Sequence, residues 1–151
     1  MERTLIILKP DAVQRGLVGP ILARLEGRGL KLAALKFMSV PRSLAEEHYT
    51  VHREKAFYGD LVSFITSAPV VVGVIEGPNA ISVVRSMMGA TNPASATPGT
   101  LRGDWALDVL HNLIHGSDAP ETANTEIALW FKPQELVSWR RDAEHWIVEE
   151  G

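Results

Sequence analysis

Two short runs constrain the fold more than anything else in these 151 residues. Thr4-Leu5-Ile6-Ile7-Leu8 and Val70-Val71-Val72-Gly73-Val74-Ile75 are almost continuously apolar and rich in β-branched side chains. A strand with one solvated face alternates apolar and polar residues, so runs without alternation read as strands buried on both faces. They are expected as the central pair of one sheet. Lys9-Pro10-Asp11 stops the first run, which brings Lys9 out at the strand's C-terminal end.

The segments between and after them alternate in type. Ile21, Leu22 and Leu25 keep helical spacing after Val18, and Gly27 and Gly29 bracket the end. Leu30 to Val40 is strand-like but changes phase between Leu32 and Leu35, which predicts a bulge near Ala33-Ala34. Ser43-Leu44-Ala45-Glu46 has the form of a capping box opening a helix. Phe57, Leu61, Phe64 and Ile65 form one side of another helix, running to Ser67. Gly77-Pro78-Asn79 leads into a helix with Ile81, Val84 and Met88 inward and Gly89 at its close. Ala90 to Thr100 has no period, and an irregular loop of that length is usually functional or disordered. A short helical segment surrounds Trp105, and Pro120 to Thr125 has room for a helical turn or two. Ile127-Ala128-Leu129-Trp130-Phe131 reads as a fourth strand and Pro133 opens a short helix. Trp139, Trp146 and Ile147 are expected to pin the tail to the body. This order matches a ferredoxin-like split βαβ sandwich, an α/β (α+β) fold. It predicts a four-stranded antiparallel sheet with helices on one face and a long loop insertion, in a single domain over residues 1–151.

Composition excludes several function classes. With 46% hydrophobic and 22% charged residues the chain reads as a soluble globular protein. A net charge of −3 gives no global attraction to nucleic acid or an anionic membrane. No apolar run reaches the ~18 residues of a membrane span. Without cysteine there is no disulfide framework and no thiolate metal site. The expectation is a cytoplasmic protein that binds neither membrane nor nucleic acid.

The chemistry concentrates around His111-Asn112-Leu113-Ile114-His115-Gly116-Ser117-Asp118. The small and polar residues after His115 predict a turn, with Gly116 allowing the bend and Ser117 and Asp118 bonding local backbone. An imidazole is largely neutral, hence nucleophilic, near pH 7. On these residues alone a turn histidine that only satisfies its neighbours is a better reading than a nucleophile. Lys9, Arg85 and Arg102, together with Thr91, Asn92 and Asn112, would suit an anionic, phosphate-bearing ligand if the fold gathers them. Taken singly, each charge is equally well read as solvated surface. Neither G-x-x-x-x-G-K-[ST] nor G-x-G-x-x-G occurs, so side chains rather than a glycine-rich cradle would hold phosphate. His48 and His52 have i, i+4 spacing but no evident third ligand for a metal. Ser117, His115 and Asp118 are too close in sequence for a hydrolase triad, and the G-x-S-x-G elbow is absent.

Nearly end to end, the chain resembles the nucleoside diphosphate kinase family. The resemblance is carried by Lys9-Pro10-Asp11-Ala12-Val13-Gln14-Arg15-Gly16, His48-Tyr49, Gly77-Pro78-Asn79-Ala80, Thr91-Asn92-Pro93, Pro98-Gly99-Thr100-Leu101-Arg102-Gly103-Asp104 and Glu126-Ile127-Ala128-Leu129-Trp130-Phe131. Most specific is Asn112-Leu113-Ile114-His115-Gly116-Ser117-Asp118, matching the Asn-x-x-His-Gly-Ser-Asp signature. The resemblance implies a ping-pong phosphotransferase in which the γ-phosphate of ATP or another nucleoside triphosphate passes to His115 and then to a nucleoside diphosphate, ribo or deoxy. It implies catalytic roles for His115, Glu126, Lys9 and Ser117. Lys9, Tyr49, Phe57, Leu61, Arg85, Thr91, Arg102, Val109 and Asn112 are implied as nucleotide contacts, with Phe57 stacking on the base. Mg²⁺ is implied as cofactor, held through phosphates and not by protein ligands. A homo-oligomer is implied, hexamer favoured over tetramer, with the long loop and the tail of Trp139 and Trp146 as candidate subunit contacts. Ala119, His111 and Ser95 depart from the commoner residues at their positions, and His52 is open to either a phosphate contact or a surface role.

Overall fold

A computed structural model describes residues 1–149. Strands β1 (Glu2–Leu8), β2 (Lys31–Met38), β3 (Val70–Gly77) and β4 (Ile114–Gly116) form one antiparallel sheet in the order β2-β3-β1-β4. The two apolar runs are the central pair, with Thr4 opposite Ile75 and Leu5 opposite Val74. The phase change in β2 is real: register shifts between Leu32 and Ala34.

Alternation along β1 divides the core in two. Leu5 and Ile7 face Val62 and Ile65 of α4 (Tyr58–Ile65) and Ile127 and Trp130 of α7 (Pro120–Trp130). Ile6 and Leu8 face Ile21 and Leu25 of α2 (Val18–Gly27) and Val84 and Met88 of α5 (Ala80–Met88). Helices therefore cover both faces of the sheet, not one as the sequence pattern predicted. A run without alternation needs an apolar partner on each side, so the two central strands already carried this conclusion.

The fourth strand is also not where the periodicity put it. Ile127 to Phe131 is the last turn of α7 and its cap, and β4 is formed by the His115 segment. Ala123, Glu126, Ile127 and Trp130 are the buried residues of α7, a helical spacing that a five-residue apolar window conceals. At three residues β4 is too short for alternation to register. Two further differences lie at helix starts. Pro10–Gln14 forms a short helix, α1, with Lys9 at its N-cap, a proline-opened turn that the sequence reading took as a stop. Pro41 caps α3 (Arg42–His48) and no side chain bonds the cap, so Ser43 lies inside the helix and the capping box is not formed. In the tail, Trp139 Nε1 donates to Leu32 O at 2.9 Å, but Trp146 is 83% exposed and anchors nothing.

Candidate active site

His115 sits mid-strand in β4, opposite Ile7 of β1, instead of at a turn. Gly116 is needed for close approach and not for a bend: a Cβ there would lie 2.7 Å from Met88 Sδ on α5. Ser117 does not bond local backbone either. Its Oγ accepts from Leu5 N at 3.3 Å across the sheet and donates to Glu126 Oε1 at 2.6 Å. The turn lies before the histidine, where Leu113 adopts φ +76°.

His115 Nε2 lies 3.0 Å from the same Glu126 Oε1. Burial alone would raise the Glu126 carboxyl, but hydrogen bonds and charge from His115, the Ser117 hydroxyl and nearby His48 hold it below the ordinary carboxylate range. An ionised carboxylate only accepts, so the imidazole proton resides on Nε2 and Nδ1 keeps its lone pair. The ring is 23% exposed at its side chain, in the wall of a cleft of about 610 Å³.

Sequence-distant elements line that cleft. Lys9 enters from the end of β1, Tyr49 from the end of α3, Phe57 and Leu61 from α4 and its cap, and Arg85 from α5. Thr91 belongs to the long loop, Arg102 to α6 (Leu101–Trp105), and Val109 and Asn112 to the segment before β4. With His115 and Glu126, eleven of the twelve residues implied by the resemblance line one cleft; Ser117 lies buried behind Glu126, and Asn92 does not line the cleft, its Oδ1 accepting from Ala94 N at 3.1 Å.

The cations are unequally held. Arg102 is only 4% exposed, and its guanidinium donates to three backbone carbonyls: Nε to Asn112 at 3.0 Å, Nη1 to Gly89 at 3.1 Å and Nη2 to Ile114 at 2.6 Å. Gly89 reaches this position at φ +85°, where it closes α5. Burial and the neighbouring Arg85 bring the Arg102 pKa down to about 10, with Asp11 opposing. Lys9 Nζ donates to Asn112 Oδ1 at 2.9 Å, and Asn112 Nδ2 to Thr91 O at 3.0 Å. Burial and the Arg102 charge bring Lys9 down to about 8, again opposed by Asp11. Arg85 remains exposed and donates from Nη1 to Gly116 O at 3.2 Å. Phe57 and Val109 present open apolar surface to the cleft.

His52, open to a phosphate contact in the sequence, lines the cleft, whereas the roles of His48 and Asp11 were not legible beforehand. His48 and His52 do not act as a pair: His52 tilts against Phe57, while His48 packs edge-on against His115 at 4.8 Å between ring centroids. Ligand atoms of His48, His115 and Glu126 lie within 4.8 Å of one another, a trio the sequence spacing did not suggest. His48 Nδ1, however, accepts from Trp130 Nε1 at 3.1 Å, so its lone pair is engaged and its 3.7 Å approach to Glu126 Oε2 is contact without a proton between them. Burial, then the adjacent His115, push His48 down to about 3, and it stays neutral. Asp11 is buried and sits in the Lys-Pro-Asp run, but only the fold reveals its partner, the Leu113 amide. The departures lie off the inner wall. His111 is exposed and bonds Asp108 at 3.0 Å, Ser95 is exposed on the loop, and Ala119 caps α7.

The model describing nucleoside diphosphate kinases matches residues 2–136. A nucleoside diphosphate kinase of Thermomicrobium roseum is 62% identical over 148 residues, 98% of this chain and 99% of that one. One from Roseiflexus sp. is 58% identical over 149 residues, 99% of this chain and all of that one. Among solved structures, the halophilic nucleoside diphosphate kinase from Halobacterium salinarum in complex with CDP superposes with a TM-score of 0.96 at 53% identity, covering 98% of this chain and 99% of its own. The match runs through every element that supplies the cleft, and the chain belongs to the nucleoside diphosphate kinase family.

Proposed function

We propose that this protein is a nucleoside diphosphate kinase that carries phosphate on His115 Nδ1. One observation supports this most directly: Glu126 accepts a hydrogen bond from Nε2–H of an imidazole that lines a cleft walled by Lys9, Arg85 and Arg102, leaving Nδ1 with its lone pair. Nδ1 attacks the γ-phosphorus of ATP or another nucleoside triphosphate in line, a P–N bond forms and the bond to the β-phosphate oxygen breaks. The diphosphate leaves, and a β-phosphate oxygen of an incoming nucleoside diphosphate then breaks the P–N bond and regenerates the ring. Phosphoryl transfer needs positioning and charge stabilisation more than further covalent chemistry. Lys9, Arg85 and Arg102 supply the charge, while Tyr49, Thr91 and Asn112 fix phosphate and sugar. Phe57, Leu61 and Val109 grip the base, and stacking tolerates any base because each has a π-face. That tolerance extends to ribo and deoxy forms as far as the sugar contacts allow.

The donor set fits Mg²⁺ carried by the nucleotide. Glu126 is committed to His115 and Ser117, and cations dominate the wall, which suits an ion held by phosphate oxygens instead of a protein cage. When bound, Mg²⁺ neutralises phosphate charge. Homo-oligomerisation, as a hexamer in preference to a tetramer, belongs to the same reading. It accounts for Phe37, 66% exposed on edge strand β2, and Leu107, 95% exposed beside the cleft-lining segment. Light scattering measures that state directly. Membrane insertion is no part of the reading, and no helix among the described residues is long and apolar enough to cross a membrane. The same reading assigns the enzyme to the cytoplasm, alongside the nucleotides it would use.

Incubation with γ-labelled ATP tests the proposal. The protein should acquire an acid-labile, base-stable label that a nucleoside diphosphate removes as labelled triphosphate. Absence of label would contradict it. Glu126→Gln should lower kcat by about 10²-fold or more, because an amide also donates and so disturbs the imidazole tautomer. Nucleotide Kd, measured by calorimetry, should stay within a few fold.

A further inference from the structure

Asp11 is a buried acid with half its carboxylate unaccounted for. On α1, its Oδ2 accepts from Leu113 N at 3.0 Å, while Oδ1 is buried with no hydrogen-bond partner. An asparagine could serve the Leu113 amide equally well. A buried carboxylate at such a position costs solvation that only nearby positive charge offsets.

The residue it holds is itself unusual. Leu113, fully buried, is the centre of a three-residue turn at φ +76°, closed by Ile114 N donating to Asn112 O at 2.9 Å. Turns of this hand are rare and strained and persist only when their surroundings over-determine them. Here both sides of the central residue are fixed: Asp11 takes its amide, and Lys9 N donates to its carbonyl at 2.8 Å. The turn aims the Asn112 side chain at Lys9 and the carbonyls of Asn112 and Ile114 at Arg102, and it delivers the chain into β4 two residues before His115.

We infer that Asp11 is a positioning residue of this site, pinning the Leu113 turn through one oxygen and countering the paired charges of Lys9 and Arg102 with its carboxylate. The inference rests on the reading of the cleft given above, and it adds a residue that touches no nucleotide. It also explains why two cations tolerate burial side by side. Charged and titratable groups around Lys9 are Asp11 on α1, Arg102 on α6 and His48 on α3, with Arg85, His115 and Glu126 on the walls of the same cleft. Of these, Asp11 is the carboxylate that favours the protonated form of both Lys9 and Arg102. With Lys9 at about 8, kcat/KM of the free enzyme should fall on its alkaline side as Lys9 loses its proton. Removing the Asp11 charge lowers the Lys9 pKa further, so the fall should begin at lower pH.

The test is the pH profile of kcat/KM for native protein, Asp11→Asn and Asp11→Ala, with native γ-phosphate labelling run alongside. Substrate ionisations are common to all three and cancel in the comparison. Asp11→Asn keeps an acceptor for Leu113 and should move the alkaline limb down by about one pH unit or more. Asp11→Ala should also lower kcat by about 10-fold or more, because the turn that aims Arg102 is released. An Asp11→Asn limb that coincides with the native one overturns the inference while labelling stands, and it decides alone if Asp11→Ala does not fold. Failure of the native protein to take label overturns this inference and the proposed function together.

Discussion

His115→Ala is expected to abolish phosphoryl transfer, with kcat reduced on the order of 10⁴-fold or more, the scale of loss when a covalent nucleophile is removed. Its neighbours carry the fold without it: Ser117 keeps its bonds to Leu5 and Glu126, and Trp130 keeps its bond to His48. Circular dichroism and thermal melting should therefore remain close to native, and nucleotide affinity within a few fold, because Lys9, Arg85 and Arg102 are untouched. Labelling by γ-labelled ATP should vanish in the same preparation. A variant that retained most of its turnover would show that phosphate does not travel through this ring.

Arg102→Ala should have the second largest effect, on two measurements at once. In the proposed mechanism its guanidinium would face the charge that develops on the transferring group, and loss of one such donor costs about 10²–10³-fold in kcat. The same side chain satisfies the carbonyls of Gly89, Asn112 and Ile114 in a buried position. Leaving those acceptors bare costs on the order of 3 kcal/mol. In a domain this size that is a fall in Tm of roughly 6–12 °C. Arg102→Lys should restore little of either, since an ammonium has no planar fork for three divergent carbonyls. Native-like melting with impaired kcat would mean that the carbonyl bonds contribute nothing to the fold.

The sequence was most legible where a long pattern had one physical solution. The central strands, the bulge in β2 and the inward faces of α2 and α5 were each read in place. The cleft residues were named because the resemblance spans the chain, whereas their individual spacing left surface charge as an equal reading. Legibility failed for short pieces. A three-residue strand and the last turn of a helix look alike in a five-residue apolar window, so the pattern puts the fourth strand at Ile127–Phe131, thirteen residues after its actual start at Ile114. His48 was weighed with His52 by spacing, yet its partners are Trp130, from α7, and His115, from β4.

What the sequence by itself determined is the inventory: two strands that must be central, a cation-rich set of residues without a glycine cradle, and one histidine within a specific signature. These follow from local chemistry, since apolar runs and residue types are properties of neighbouring positions along the chain. Only the tertiary structure decided which nitrogen of His115 is free, that His48 stays neutral, and that Asp11 reaches Leu113 across 102 positions. Each of these depends on partners brought together by sheet pairing and on burial that lowers the local dielectric. Neither effect exists until distant segments have closed on one another.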